Sequence, residues 1–168
     1  MARDFTQDPI RYNVYKGKAA AQFGLARFNP TRVRKSGKSA PQGWVMLEVA
    51  KVKGKNDSGN RIYDWENKLT FGMSADDLSR FQVFSRKGGK IFHEYNGNTK
   101  TLELMPGNED QDGLPTWMMT LSQKAGAGEW ERITVSISAV EMTTLKSLFQ
   151  AAIPAMLGWN TPGDDTDE

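Results

Sequence analysis

Two serine-led helical segments, each preceded by a long run of strand-forming sequence, restrict this chain to an α+β fold. In "SADDLSRFQVFS", Ser74 is a good N-cap, and Asp76 and Asp77 occupy the first turn, where the helix dipole favours acids. Leu78, Phe81 and either Gln82 or Ser85 mark its apolar face, and "RKGGK" stops it with Gly88 as the cap. The second helix starts at Ser138, with Glu141 at capping-box spacing. Its apolar stripe is Met142, Leu145, Leu148, Phe149 and Ala152, and Pro154 is expected to break or kink it, leaving "AMLGW" as a second piece. Before the first helix, strands are predicted over Tyr12–Tyr15, Ala20–Phe28, "WVMLEVAKV" and "RIYDWENKLTFGM", the last bulged near Asn67. Between the helices, "KIFHEY" and "TKTLELM" flank the hairpin signal "NGN", followed by "TWMMTLSQ" and "WERITVSIS". The predicted order is four strands, helix, four strands, helix.

The charge is unevenly spread. Residues 1–55 hold twelve Lys and Arg against three acids, a surplus of nine, so a net charge of +2 leaves −7 for the remainder. The last five residues, "DDTDE", carry −4 of that. This asymmetry fits a polyanion-binding face with an acidic competitor for it, or simply charge placed for solubility. The expected organisation is one domain over residues 1–159, with a mobile basic loop at 29–43 and an acidic disordered tail at 160–168. That tail is expected to recruit protein partners through residues 164–168 or to compete with nucleic acid.

Catalytic chemistry is scarce. There is no cysteine, and His93 is the single histidine, so thiolate and multi-histidine metal sites are excluded and no metal or cofactor is expected. No phosphate-cradling glycine loop occurs, and "EDQDG" lacks the ligand alternation of a calcium loop. A non-enzymatic protein is expected. "LFQAAIPAMLGW" is too short and too interrupted to span a bilayer, and "MARDFTQDPIRYNVY" has no apolar signal core. These features predict a cytoplasmic address and no membrane partner.

Cations interleave with rings before residue 66. The rings are Tyr12, Tyr15, Phe23, Phe28, Trp44, Tyr63 and Trp65; the accompanying cations include Lys16, Lys18, Arg27, Arg32, Arg34, Lys35, Lys51 and Arg61. Unpaired nucleic acid needs this combination, because cations follow phosphates while rings stack on bases with little regard to sequence. A duplex reader would instead carry its cations on a recognition helix. Each ring taken singly also fits core packing, Phe23 and Trp65 especially. Lysines inside a strand would also serve to protect an edge from aggregation.

"YKGKAAAQF" resembles the lysine-glycine-lysine-alanine-alanine signature of the Whirly family of single-stranded DNA-binding proteins. "YDW", "FGMSADDLSRF" and "LFQAAIPAMLGW" follow in the family's order, so the resemblance covers residues 12–159. It implies two antiparallel four-stranded sheets with a helix after each, and a C-terminal helix-loop-helix that builds a homotetramer. It also implies sequence-tolerant binding of single-stranded DNA in replication, recombination or repair; RNA binding or annealing, or a transcription-cofactor or scaffold role, are the alternatives. Lys16 and Lys18 look like backbone-contacting or assembly residues, and Gly17 like the residue that lets the strand bend. Ala19 and Ala20 look like small residues that let tetramers meet in larger assemblies. Met142, Leu145, Phe149, Ile153 and Met156 look like the tetramer core. The basic loop and acidic tail have no match in the family, and a bacterial or phage-type member is expected.

Overall fold

The structure, a computed structural model, describes residues 11–27 and 43–159. The predicted contacts Phe28, Arg32, Arg34 and Lys35, nearly all of the 29–43 loop, and the 160–168 tail lie outside these residues.

Strand-forming sequence before the first helix builds β1 (Arg11–Tyr15), β2 (Ala19–Arg27), β3 (Gly43–Lys55), β4 (Arg61–Tyr63) and β5 (Leu69–Met73). All pairings are antiparallel; the order is β1-β2-β3-β4, with β5 also on β3. The segment predicted as one strand is thus two, making this sheet five-stranded. A register shift between Val52 and Gly54 and a 3-10 turn at Trp65–Asn67 divide it, while the Asp64 N–H still reaches the Lys51 carbonyl at 2.8 Å. The second sheet holds β6 (Gly89–Tyr95), β7 (Asn98–Pro106), β8 (Trp117–Ala125) and β9 (Glu131–Ile137) in sequence order. The predicted "NGN" turn joins β6 to β7, with Asn96 and Gly97 both at positive φ (50° and 75°) as a tight hairpin requires.

Residues opposite one another in a ladder share a face. In the first sheet Val14, Ala21, Val49 and Leu69 form one buried row, and Phe23, Leu47 and Phe71 the next. Ile91, Leu102, Leu121 and Ile133 form the matching row of the second sheet. Helices α1 (Ala75–Lys87) and α2 (Ala139–Leu157) complete the core. Phe149 of α2 stands edge-on to Phe81 of α1 at 5.3 Å and lies 5.9 Å from Phe23 of β2.

Both helices start as the sequence predicts. Ser74 and Ser138 accept from the N3 backbone, and the N3 acids, Asp77 and Glu141, accept from the cap N–H in return. Among the described residues the predicted break at Pro154 does not occur and no helix-loop-helix forms: α2 is continuous to Leu157. Pro154 cannot donate to the Gln150 carbonyl, so α2 runs through with one helical hydrogen bond missing. Buried Met156 anchors the last turn, and left-handed Gly158 closes it.

The stripe expected to form a tetramer core is instead this chain's own core. Met142, Leu145, Phe149 and Met156 are each at most 2% exposed, and Ile153 packs against the same cluster. Val140, Leu148 and Leu157 are the exposed large apolar residues of α2. Phe149→Ala is therefore expected to cost about 3–5 kcal/mol in urea unfolding. Leu148→Ala, on the side left open in a single chain, should cost under about 1 kcal/mol at protein concentrations where the chain is monomeric. Comparable effects would contradict this division.

Candidate nucleic-acid interface

Strand β3 changes character halfway along. From Gly43 to Ala50 it lies in the sheet, and beyond that Lys51, Lys53, Gly54 and Lys55 are all exposed. This outer half pairs with β4 to make a basic arm. Its tip is fixed by Asn56, whose Oδ1 accepts from the Ser58 and Asn60 N–H groups at 3.0 and 2.8 Å.

Aromatic rings line the arm. Tyr15, 56% exposed, lies 5.6 Å from Tyr63, and Tyr63 lies 6.3 Å from Trp65. These three rings, with Lys55, Gly59, Asn60, Arg61 and Ile62, line an open groove of about 710 Å³. Lys18, Lys51, Lys53, Lys55 and Arg61 are exposed, and none is paired with an acid among the described residues. By contrast, Arg11 and Lys68 are held by Glu48, at 3.3 and 2.5 Å.

The sequence-predicted site residues divide accordingly. Tyr15, Lys18, Lys51 and Arg61 come together at the arm. Phe23 does not: it is 4% exposed and belongs to the core. Tyr12, opposite Phe23 in the ladder, is half-buried against the same cluster. Trp44 is half-buried on β3 opposite Ala26, and a Cβ added at Gly72 would meet its ring at 3.5 Å. Arg27 ends β2 opposite Gly43, and its side chain lies outside the described residues. Missing from the predicted cations were Lys53 and Lys55, which the alternation "KVKGK" could have revealed; among the rings named in the sequence, Tyr63 and Trp65 are the ones beside Tyr15.

The "KGK" turn is also not as predicted. Lys16 Nζ lies 2.9 and 2.7 Å from the two Glu141 carboxylate oxygens, so its charge is neutralised within the chain. Gly17 is not at positive φ, and an added Cβ would find only Arg61, at an ordinary 3.7 Å; the fold does not demand glycine there. Ala19 and Ala20 are 3% and 0% exposed, so neither offers a surface to another assembly.

The chain is similar to known proteins over most of its length. A family profile described as "Whirly transcription factor" matches residues 14–148. The chain belongs to the Whirly family. Among its relatives, the chloroplastic single-stranded DNA-binding protein WHY1 of Solanum tuberosum is 28% identical over 164 residues, covering 90% of this chain and 56% of the relative. The mitochondrial single-stranded DNA-binding protein WHY2 of Arabidopsis thaliana is 23% identical over 158 residues, covering 89% and 63%. This Whirly chain thus spans a little over half the length of these curated relatives. In fold it resembles the plant transcriptional regulator PBF-2, with a TM-score of 0.73 and 26% identity over 91% of this chain and 85% of that one. These Whirly relatives are plant proteins of chloroplast and mitochondrion, which overturns the expectation of a bacterial or phage-type member in a cytoplasm.

Glu141 gives the site a pH dependence. Burial alone would raise its carboxyl pKa, but hydrogen bonds from Lys16 and from the Ser138 backbone and hydroxyl outweigh it, holding the group below the ordinary 4.5. A depressed carboxylate contributes stability above its unfolded-state pKa and loses it as pH falls through the folded-state value. Stability should therefore drop on acidification below about pH 4.5. Glu141→Gln should flatten part of that drop in a pH series of thermal melts; an unchanged profile would contradict the assignment.

Proposed function

We propose that this chain binds single-stranded DNA with little regard to sequence, and that the β3–β4 arm is its principal contact. The observation that carries this is one groove lined by three partly exposed rings with Lys55 and Arg61, next to exposed Lys18, Lys51 and Lys53. None of the five cations is paired with an acid among the described residues. The cations can follow a phosphate chain while Tyr15 and Trp65 offer faces to bases. The cations lie on strands and turns rather than on a helix, which favours unpaired strands over a duplex groove. Relatives described as single-stranded DNA-binding proteins of plant organelles support the same reading and favour an organellar setting. Protection of single strands during replication, recombination or repair fits such sequence tolerance. The PBF-2 likeness and the family description also favour transcriptional regulation as a setting. Assembly into a homotetramer would use the exposed positions of α2, Val140, Leu148 and Leu157.

Anisotropy titrations with oligothymidylate, the matching RNA and duplex DNA over a range of salt test this reading. Single-stranded DNA should bind more tightly than duplex, with a log–log salt slope of about −0.7 per phosphate contacted. Tyr15→Ala or Trp65→Ala should weaken binding roughly 5- to 100-fold, the worth of one stacked base. Lys53→Gln should shrink the slope by about 0.7. Duplex affinity equal to or above that for the single strand, or no binding at low salt, would refute the proposal.

A further inference from the structure

We infer that Lys16 is a positioning residue: it does not contact phosphate but holds the aromatic groove in shape through Tyr63. The inference rests on the arm being the nucleic-acid contact and adds a role that the charge pattern alone hides.

Lys16 is anchored at three atoms. Its Nζ bridges both oxygens of Glu141, its N–H donates to the Ala19 carbonyl at 3.0 Å, and its carbonyl accepts from the Tyr63 hydroxyl at 2.6 Å. The Nζ contact joins the turn after β1 to a fixed body, because Glu141 is the N3 residue of α2 and the adjacent Met142 is 1% exposed. The carbonyl contact transmits that position to Tyr63. Tyr63 is the middle ring of the three, within 5.6 Å of Tyr15 and 6.3 Å of Trp65. The Lys16 side chain is 28% exposed and that of Glu141 21%. Turning the ammonium toward a phosphate would leave a half-buried carboxylate without its cation, a costly exchange. Lys18, two residues on, is exposed and unpaired among the described residues, so it can meet a phosphate without breaking anything. The two lysines of one short motif therefore have different work.

Titration of the full chain with oligothymidylate containing 2-aminopurine, at several salt concentrations, separates the two roles. Lys16→Gln, Glu141→Gln and Tyr63→Phe should each weaken binding by about tenfold, on the order of one lost stack. Each should also reduce 2-aminopurine quenching and leave the salt slope unchanged. Lys18→Gln should instead reduce the slope by about 0.7 with quenching retained. Lys16→Gln combined with Glu141→Gln should lose little more than either alone, because they act as a unit. Lys16→Arg should restore much of the quenching. A smaller slope for Lys16→Gln with normal quenching would overturn the inference. The Trp65 indole resonance of the free protein is an independent readout: Lys16→Gln and Tyr63→Phe should both displace it. An unmoved resonance would overturn the positioning role even if the chain bound no oligonucleotide, whereas failure of the wild-type chain to bind would count against the proposed function alone.

Discussion

A basic side chain from the opposite sheet holds the first turn of each helix, and this crossed pairing ties the two halves together. Helix α2 follows the second sheet, yet its N3 acid Glu141 is gripped by Lys16 of the first. Helix α1 follows the first sheet, yet its N3 acid Asp77 lies 3.0 Å from His93 Nε2 of the second. In both cases the acid already completes a capping box, so one carboxylate closes a helix end and fastens it to a remote strand. His93 also stacks on Phe71 at 4.3 Å, and Lys100 beside it in the ladder donates to the Thr70 carbonyl and hydroxyl across the seam. Burial lowers the Lys100 pKa, the cost of placing an ammonium against neutral acceptors of Thr70.

This frame explains why the basic arm can carry so much exposed charge. The apolar rows of both sheets and the Phe23–Phe149–Phe81 cluster supply the stability, so the outer half of β3 is free of core duty. Loop ends held by Asn56 and by the Lys16 turn keep the arm's rings in place without burying them. A preformed stacking surface loses less conformational freedom on binding than one assembled around the ligand.

Much of this was legible in the sequence, and the failures have physical causes. Ser74, Ser138 and the "NGN" turn announced their structures because caps and tight turns are decided by neighbours in the chain. Apolar periodicity located the α2 stripe but could not say what covers it: the same residues suit a subunit interface and an intramolecular core. Phe23 was ambiguous for the same reason. Lys16 misled because its partner is 125 residues away, a separation that no local pattern reports. Pro154 misled because core packing of Ala152 and Met156 on either side carries the helix through one missing hydrogen bond. The locality of a chain in a cell is written in none of these elements, and the expectation of a bacterial or phage cytoplasm gave way to plant organellar relatives.

The central claim is that the crossed frame presents Tyr15, Tyr63 and Trp65 and the β3–β4 cations to a single strand. Mapping amide and indole shifts while adding a short oligothymidylate tests this most directly. The largest changes should fall on Lys18, Lys53, Lys55, Ile62, Tyr63 and Trp65, with Lys16 Nζ still paired to Glu141. Changes centred on the open face of the second sheet, around Phe92, Thr101 and Arg132, with the arm unmoved, would contradict it.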